Sequence, residues 1–256
     1  MSGAALDRGP GELESRAVLD VRVDATSYAH ATRCVIGWAR GGASRYVCAC
    51  NVHMVMEARD DPSFRDVVNG ADLVTPDGMP LVWALRLMGV RSATRVYGPT
   101  LMLEVSAAAE RSAVPIGLYG GSQSVLTRVR ERLRERFPDL NVAYAHSPPF
   151  GPHDDERADL EAIARSGVRI LFVALGCPKQ ERWMARNRDH VPAVTLGVGA
   201  AFDFVAGSKP QAPGVLQRTG LEWAFRLATE PRRLWRRYAV HNPRFVALLT
   251  RQLLRR

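Results

Sequence analysis

What this 256-residue chain lacks excludes several kinds of chemistry. Its four cysteines, Cys34, Cys48, Cys50 and Cys177, form no CxxC pair and no metal-ligand spacing, and they read as buried or incidental thiols of a reducing compartment. The six histidines are scattered, and His53, His146 and His153 form no HxxxH pattern. No DxD occurs, so no paired-carboxylate metal site is visible, and the sequence predicts neither metal nor cofactor. The dinucleotide fingerprint is also missing. Gly120-Gly121-Ser122-Gln123 is not GxGxxG, and Gly197-x-Gly199 is followed by Phe202 where the third glycine would stand. There is no internal repeat, no signal-peptide pattern and no apolar run of about 18 residues, which predicts a cytoplasmic chain that spans no membrane.

What is present is an alternation of short apolar runs and helical patterns. Strands are expected at Ala17 to Val23, Tyr46 to Cys50, Ala71 to Val74, Ile116 to Tyr119, Asn141 to Ala145, Val168 to Ala174 and Ala193 to Leu196. Between them lie helical patterns at Ser27 to Ala39, Pro62 to Asn69, Pro80 to Met88, Thr100 to Arg111, Gln123 to Phe137 and Asp154 to Ser166. This spacing suits crossover units. It predicts an α/β fold, a Rossmann-like, mostly parallel sheet with helices on both faces. Residues 1–16 are small and polar and are expected to be a disordered tail. Residues 17–215 form the expected α/β core. After Pro210-Gln211-Ala212-Pro213-Gly214 the character changes, and residues 216–256 read as a basic helical appendage.

Charge sharpens that boundary. The net charge is +9, and Leu216 to Arg256 carries ten arginines against two glutamates, a balance of +8. Arg232, Arg233, Arg236 and Arg237 fall on one side of a helical wheel, with Leu234, Trp235 and Tyr238 on the other. After Asn242-Pro243, Phe245, Val246, Leu249 and Leu253 oppose Arg244, Arg251 and Arg255. A basic amphipathic helix with an aromatic anchor fits an anionic membrane surface. The plainer reading is a helix packed on the core with a solvated basic face. Nucleic acid is disfavoured, because no binding module for it is evident. A homo-oligomer is compatible with the sequence.

Residues at the carboxyl ends of parallel strands face the crevice where such sheets bind ligands. Two strand ends open through small residues into helices. One is Leu175-Gly176-Cys177-Pro178-Lys179-Gln180-Glu181, and the other is Gly197-Val198-Gly199-Ala200-Ala201-Phe202-Asp203. They place Lys179, Gln180 and Asp203 at a candidate nucleotide-diphosphate site. Thr75-Pro76-Asp77-Gly78 is good turn chemistry, and a turn is the favoured reading of that string alone. At a strand end, however, the Asp77 carboxylate can act as a general base. Arg95 alone reads as a solvated surface residue. Gly120 and Gly121 could bring backbone amides to a phosphate, or could simply make a tight strand-to-helix turn.

Taken in order, these strings resemble the WecG/TagA/CpsF family of bacterial glycosyltransferases. The carrying residues are Asn51-Val52-His53, Thr75-Pro76-Asp77-Gly78, Arg95-Val96-Tyr97-Gly98, Gly120-Gly121, Ser147-Pro148-Pro149-Phe150, Gly176 to Glu181 and Gly197 to Gly207. Gly220-Leu221-Glu222-Trp223, Arg226 and Glu230-Pro231-Arg232-Arg233 fit too, so the match runs from about Ala17 to Tyr238. The resemblance implies an inverting, metal-independent transfer from a UDP-sugar donor. The implied acceptor is a sugar on a polyprenyl diphosphate at the inner face of the plasma membrane, in cell-surface polysaccharide synthesis. It implies Asp77 as base, and Asn51, Arg95, Gly120, Phe150, Lys179, Gln180 and Asp203 around the donor. Arg226, Arg233 and Arg236 are implied at the diphosphate or lipid head group. One departure is Ala49, where the family often has Thr, which removes a pocket hydroxyl and bears on sugar preference or acceptor geometry. Competing readings are transfer to a soluble acceptor, a nucleotide-cofactor oxidoreductase, and a non-catalytic membrane- or nucleic-acid-binding protein. The missing fingerprint disfavours the oxidoreductase, and the retained Asp77, Gln180 and Asp203 disfavour the non-catalytic reading.

Overall fold

The computed structural model describes residues 13–149 and 156–255. Two antiparallel strands come first, β1 (Ser15–Val18) and β2 (Val21–Asp24). Six further strands are β3 (Arg45–Cys50), β4 (Leu73–Pro76), β5 (Ile116–Gly120), β6 (Val142–His146), β7 (Ile170–Ala174) and β8 (Val194–Gly197). They form one sheet in the order β4-β3-β8-β7-β5-β6, and every neighbouring pair is parallel. Among the described residues the helices are α1 (Tyr28–Arg40), α2 (Val52–Asp60), α3 (Pro62–Asn69), α4 (Met79–Leu87), α5 (Gly98–Arg111) and α6 (Gln123–Arg136). They continue with α7 (Glu156–Arg165), α8 (Lys179–Arg186), α9 (Ala201–Val205), α10 (Gly214–Arg218), α11 (Glu222–Thr229) and α12 (Pro231–Leu254).

The alternation of side chains along each strand decides which helices cover which face. Ile170 and Phe172 of β7 join a cluster with α1, α5, α6 and α9, whereas Leu171 and Val173 join a second cluster with α2, α3, α4, α7, α8 and α12. In β3, Val47 faces the first cluster, and Tyr46, Cys48 and Cys50 face the second. Both faces are therefore buried, which explains why the strands read as continuous apolar runs rather than as alternating ones.

Three local expectations are corrected. The single strand expected from Ala17 to Val23 is the β1–β2 hairpin. Its two-residue turn holds Leu19 and Asp20 at φ 50° and 69°, the left-handed geometry of hairpin turns but without the Asn-Gly string that announces it. Between Cys50 and Pro62, where the sequence pattern predicts no helix, lies α2, in which Asn51 caps the first turn by accepting the Met54 N–H at 3.2 Å. Met54, Val55 and Met56 are all buried in succession, which blurs the helical period. Lastly, the two amphipathic stretches read before and after Asn242-Pro243 are not separated at Pro243. Helix α12 runs through it, and both Pro243 and Ala239, whose carbonyl loses its partner there, are exposed to water.

The hairpin covers the β4 edge, where Asp24 Oδ2 accepts the Val74 N–H at 2.8 Å. The far end of α12 clamps the hairpin in turn. Gln252 accepts the Leu19 N–H at 3.0 Å and donates to the Ala17 carbonyl at 2.7 Å. Phe245 and Leu249 of α12 are buried in the second cluster. No helix among the described residues is long and apolar enough to cross a membrane.

Candidate active site

All six strands point their carboxyl ends to one edge of the sheet, and the residues singled out from the sequence gather along it in strand order. Asp77 follows β4, Asn51 follows β3, Gly199 and Asp203 follow β8, Gly176 and Gln180 follow β7, and Gly120 ends β5. Over the β4–β3 end of this edge lies an open cleft, lined from the core by Asn51, His53, Asp77, Arg95 and Tyr97. Helices α11 and α12 and the loop before them wall its other side with Gly220, Glu222, Trp223, Arg226, Tyr238 and His241.

Asp77 sits at the floor. Its N–H donates to the Cys50 carbonyl at 2.7 Å, which ties the strand end of β4 to that of β3. Gly98 fits close against it: a Cβ there would lie 3.8 Å from Asp77 Oδ2, 3.7 Å from Ala49 Cβ and 3.6 Å from the Val198 carbonyl. Burial pushes the Asp77 carboxyl up to about 7, with Glu222 adding to the rise while Arg95, Arg226 and a hydrogen bond from the Gly98 N–H oppose it. A carboxylate that titrates near neutrality is suited to take a proton at working pH. The turn favoured for Thr75-Pro76-Asp77-Gly78 from its local string is thus also a strand end aimed into a cleft.

Arg95 is not the solvated residue that its local string suggests. Its Nη2 donates to Glu222 Oε2 and lies 4.0 Å from Asp77 Oδ1, and its guanidinium stacks 4.3 Å above the Tyr97 ring. Arg226 packs its guanidinium 5.5 Å from the Phe204 ring, and its buried Nε has no hydrogen-bond partner among the described residues. The cleft therefore sets two arginines above a half-neutral carboxyl. Such a site can deprotonate a hydroxyl and hold an oxyanion beside it.

A model of the "Glycosyl transferase WecG/TagA/CpsF family" matches residues 16–256. The chain belongs to the WecG/TagA/CpsF glycosyltransferase family. It is also 33% identical over 193 residues to the N-acetylglucosaminyldiphosphoundecaprenol N-acetyl-β-D-mannosaminyltransferase of Bacillus spizizenii (strain ATCC 23059 / NRRL B-14472 / W23). That match covers 75% of this chain and 74% of the relative. The protein is accordingly a glycosyltransferase.

The remaining candidate residues of this glycosyltransferase are distributed unevenly. Gln180 is buried behind the edge, where its Oε1 accepts the Gly176 N–H at 3.3 Å and its Nε2 donates to Glu181 Oε1 at 2.6 Å. A Cβ on Gly197 would come within 3.0 Å of the Gln180 amide, so that glycine makes room for it. Asp203, in the first turn of α9, is bound by Lys209 at 3.2 Å and by the Ser208 hydroxyl at 3.3 Å. Lys179 is exposed. Gly120, at φ 112°, has a backbone reason for its identity, since a Cβ would fall 2.6 Å from the Ala174 carbonyl oxygen. None of these residues lines the Asp77 cleft. Arg236 is exposed and outside the cleft lining as well. Phe150 and the side chain of Arg233 lie outside the described residues.

Sequence reasoning missed Glu222, Tyr238 and His241 as cleft residues. Glu222 stands inside the Gly-Leu-Glu-Trp string, but nothing local says that its carboxylate meets Arg95 across 127 positions. His241 carries no spacing signal, because its neighbours in the cleft come from α2.

Proposed function

We propose that the protein transfers an N-acetylhexosamine from a UDP-sugar to a sugar carried on a polyprenyl diphosphate, with inversion and without a catalytic metal, in cell-surface polysaccharide synthesis. The reaction named for the Bacillus relative favours N-acetylmannosamine as the sugar and N-acetylglucosaminyl-diphosphoundecaprenol as the acceptor. The observation that carries the reading is the Asp77 carboxyl, raised to about 7 in a cleft that also holds Arg95 and Arg226.

In this scheme Asp77 accepts the proton of the acceptor hydroxyl as its oxygen attacks the anomeric carbon. The bond from that carbon to the UDP oxygen breaks on the opposite face, and UDP leaves with the electron pair. Asp203 meets the donor from the neighbouring strand end, and Gln180, buried beneath, fixes the Gly176 turn against it. Arg95 and Arg226 balance diphosphate charge, a role cationic side chains can fill. Glu222 pairs with Arg95, and the donor diphosphate competes with it for that guanidinium. The arginine-rich face of α12, with Arg233 and Arg236, meets anionic lipid or the acceptor head group and holds the enzyme peripherally at the cytoplasmic surface of the membrane.

The test is UDP release across a panel of UDP-sugars, with and without a short polyprenyl-diphosphate N-acetylglucosamine. Acceptor-dependent release from one UDP-N-acetylhexosamine is expected. Turnover only with a water-soluble acceptor would replace the lipid-linked reading, and no release with any UDP-sugar would overturn the donor assignment.

A further inference from the structure

Helix α2 and helix α12 bring two histidines and a glutamate to one point at the rim of the cleft. His53 and Glu57 lie one turn apart on α2, and His241 approaches from α12. Glu57 Oε1 is 3.6 Å from His53 Nδ1 and 3.8 Å from His241 Nε2, and the three ligand atoms all lie within 4.8 Å of one another. The two imidazoles meet edge to face, with centroids 5.4 Å apart at 66°. All three residues are half-buried.

These separations are longer than hydrogen bonds, which run to about 3.2 Å. The two Glu57–histidine separations are close to the edge of roughly 3.3 Å that metal–ligand bonds of about 2.0–2.1 Å impose on a tetrahedron, and a small rotation of either ring brings the histidine pair, now within 4.8 Å, to the same spacing. The three groups therefore converge at spacings wider than direct hydrogen bonds, as ligands around a shared ion do. Two imidazole nitrogens and one carboxylate oxygen, with a water completing the tetrahedron, suit a zinc-class ion. The His241 ring is not committed elsewhere, since its buried Nδ1 has no hydrogen-bond partner among the described residues. One turn further along the same two helices, Arg244 grips Asp60 through two bonds of 2.5 and 2.6 Å, so the backbones that carry the ligands are already fixed against each other.

We propose that His53, Glu57 and His241 form a divalent transition-metal site that staples the basic tail helix to the core beside the cleft. Its place defines its consequence. Helix α2 begins at Asn51, and α12 contributes Tyr238 and Asn242 to the opposite wall, so an ion between the helices fixes the width of the cleft. The site is structural and takes no part in the transfer step, so it is independent of the donor and acceptor proposed above.

Untagged full-length protein, stripped with chelator, is titrated with zinc chloride by calorimetry and with cobalt chloride by visible absorption. One equivalent of zinc is expected to bind with a dissociation constant at or below the micromolar range. At a hundredfold excess over that constant the melting temperature should rise by about 5–10 °C. Cobalt should give the spectrum of a nitrogen/oxygen tetrahedral site with no thiolate charge-transfer band. Glu57→Gln and His241→Asn, each confirmed as folded by circular dichroism, should weaken zinc binding by roughly 100-fold, the upper end of what losing even an outer partner of a site costs. The proposal is overturned if the wild-type protein takes up no stoichiometric zinc, if cobalt reports thiolate ligation, or if zinc binding survives unchanged in both folded variants.

Discussion

Arg95 of the core and Glu222 of the tail form an ion pair beside the catalytic candidate, and both charges bias the proton affinity that burial gives Asp77. Glu222 raises the Asp77 carboxyl, and Arg95 lowers it. Neutralising Glu222 removes one opposing charge and frees Arg95 to bias Asp77 more strongly. Glu222→Gln should therefore shift the ascending limb of the pH–rate profile, which follows deprotonation of Asp77, to lower pH. The profile is measured as UDP release per unit time across pH 5 to 9, and an unmoved midpoint would sink the coupling.

Asp77→Asn separates catalysis from stability. Turnover should fall by about 100-fold or more, the scale of a lost general base. Stability should move the other way at alkaline pH. The folded carboxyl is raised above its ordinary value of 3.8 to about 7, so its contribution is fully present below pH 4 and is lost as pH rises through 7. Asparagine carries no such penalty. The variant should melt above the wild type at pH 8, by about 2–4 °C for each kcal/mol recovered, and the gap should close by pH 4. A folded Asp77→Asn protein with near-normal transfer would remove Asp77 from its role.

The sheet was legible because both of its faces are buried: strands such as Ile170–Ala174 announce themselves as unbroken apolar runs between helical patterns. The same burial hid α2, where Met54, Val55 and Met56 follow one another into the core. The hairpin was illegible for a different reason, since Leu19 and Asp20 adopt left-handed geometry without a glycine or asparagine to signal it. In the cleft, Asp77 could be located because strand ends are where parallel sheets place chemistry, whereas Asn51 entered only through the family resemblance. Glu222 and His241 could not be located. Their meaning depends on Arg95 and on His53 with Glu57, which only the docking of the tail brings near.

Gln180 and Asp203 should separate in their effect on donor binding. The Gln180 amide is held from two sides, by the Gly176 N–H and by the Glu181 carboxyl, which burial pushes up to about 7. Buried as it is, Gln180 acts on the donor through the Gly176 turn that it fixes, so Gln180→Ala should weaken UDP affinity by about tenfold, the worth of one good hydrogen bond. Asp203 already spends its carboxylate on Lys209 and Ser208, and Asp203→Ala should cost less. Calorimetry with UDP on both variants decides this, and unchanged affinity in the two folded proteins would move the donor elsewhere.

The tail should act as both wedge and anchor, and single positions can tell these roles apart. Leu234, Phe245 and Leu249 are buried, each worth about 1.5–3 kcal/mol of apolar burial, so removing residues 216–256 should lower the melting temperature as well as any lipid affinity. That truncation alone cannot isolate membrane binding. Trp235 can, because 55% of it is exposed at the same end of α12 as the exposed Arg232, and neither residue lines the cleft. Trp235→Ala combined with Arg232→Glu should leave the melting temperature within about 2 °C of wild type, as exposed substitutions do. It should weaken sedimentation with phosphatidylglycerol vesicles, since each basic residue near anionic lipid contributes about 1 kcal/mol. Wild-type binding should itself fade with added salt, as screening shortens toward ~8 Å at physiological ionic strength. Transfer to a lipid-linked acceptor in vesicles should drop in the double variant, while transfer to a short, water-soluble analogue persists. If vesicle binding and lipid-linked transfer both match the wild type, the basic face of α12 is a solvated surface and the enzyme reaches its acceptor by another route.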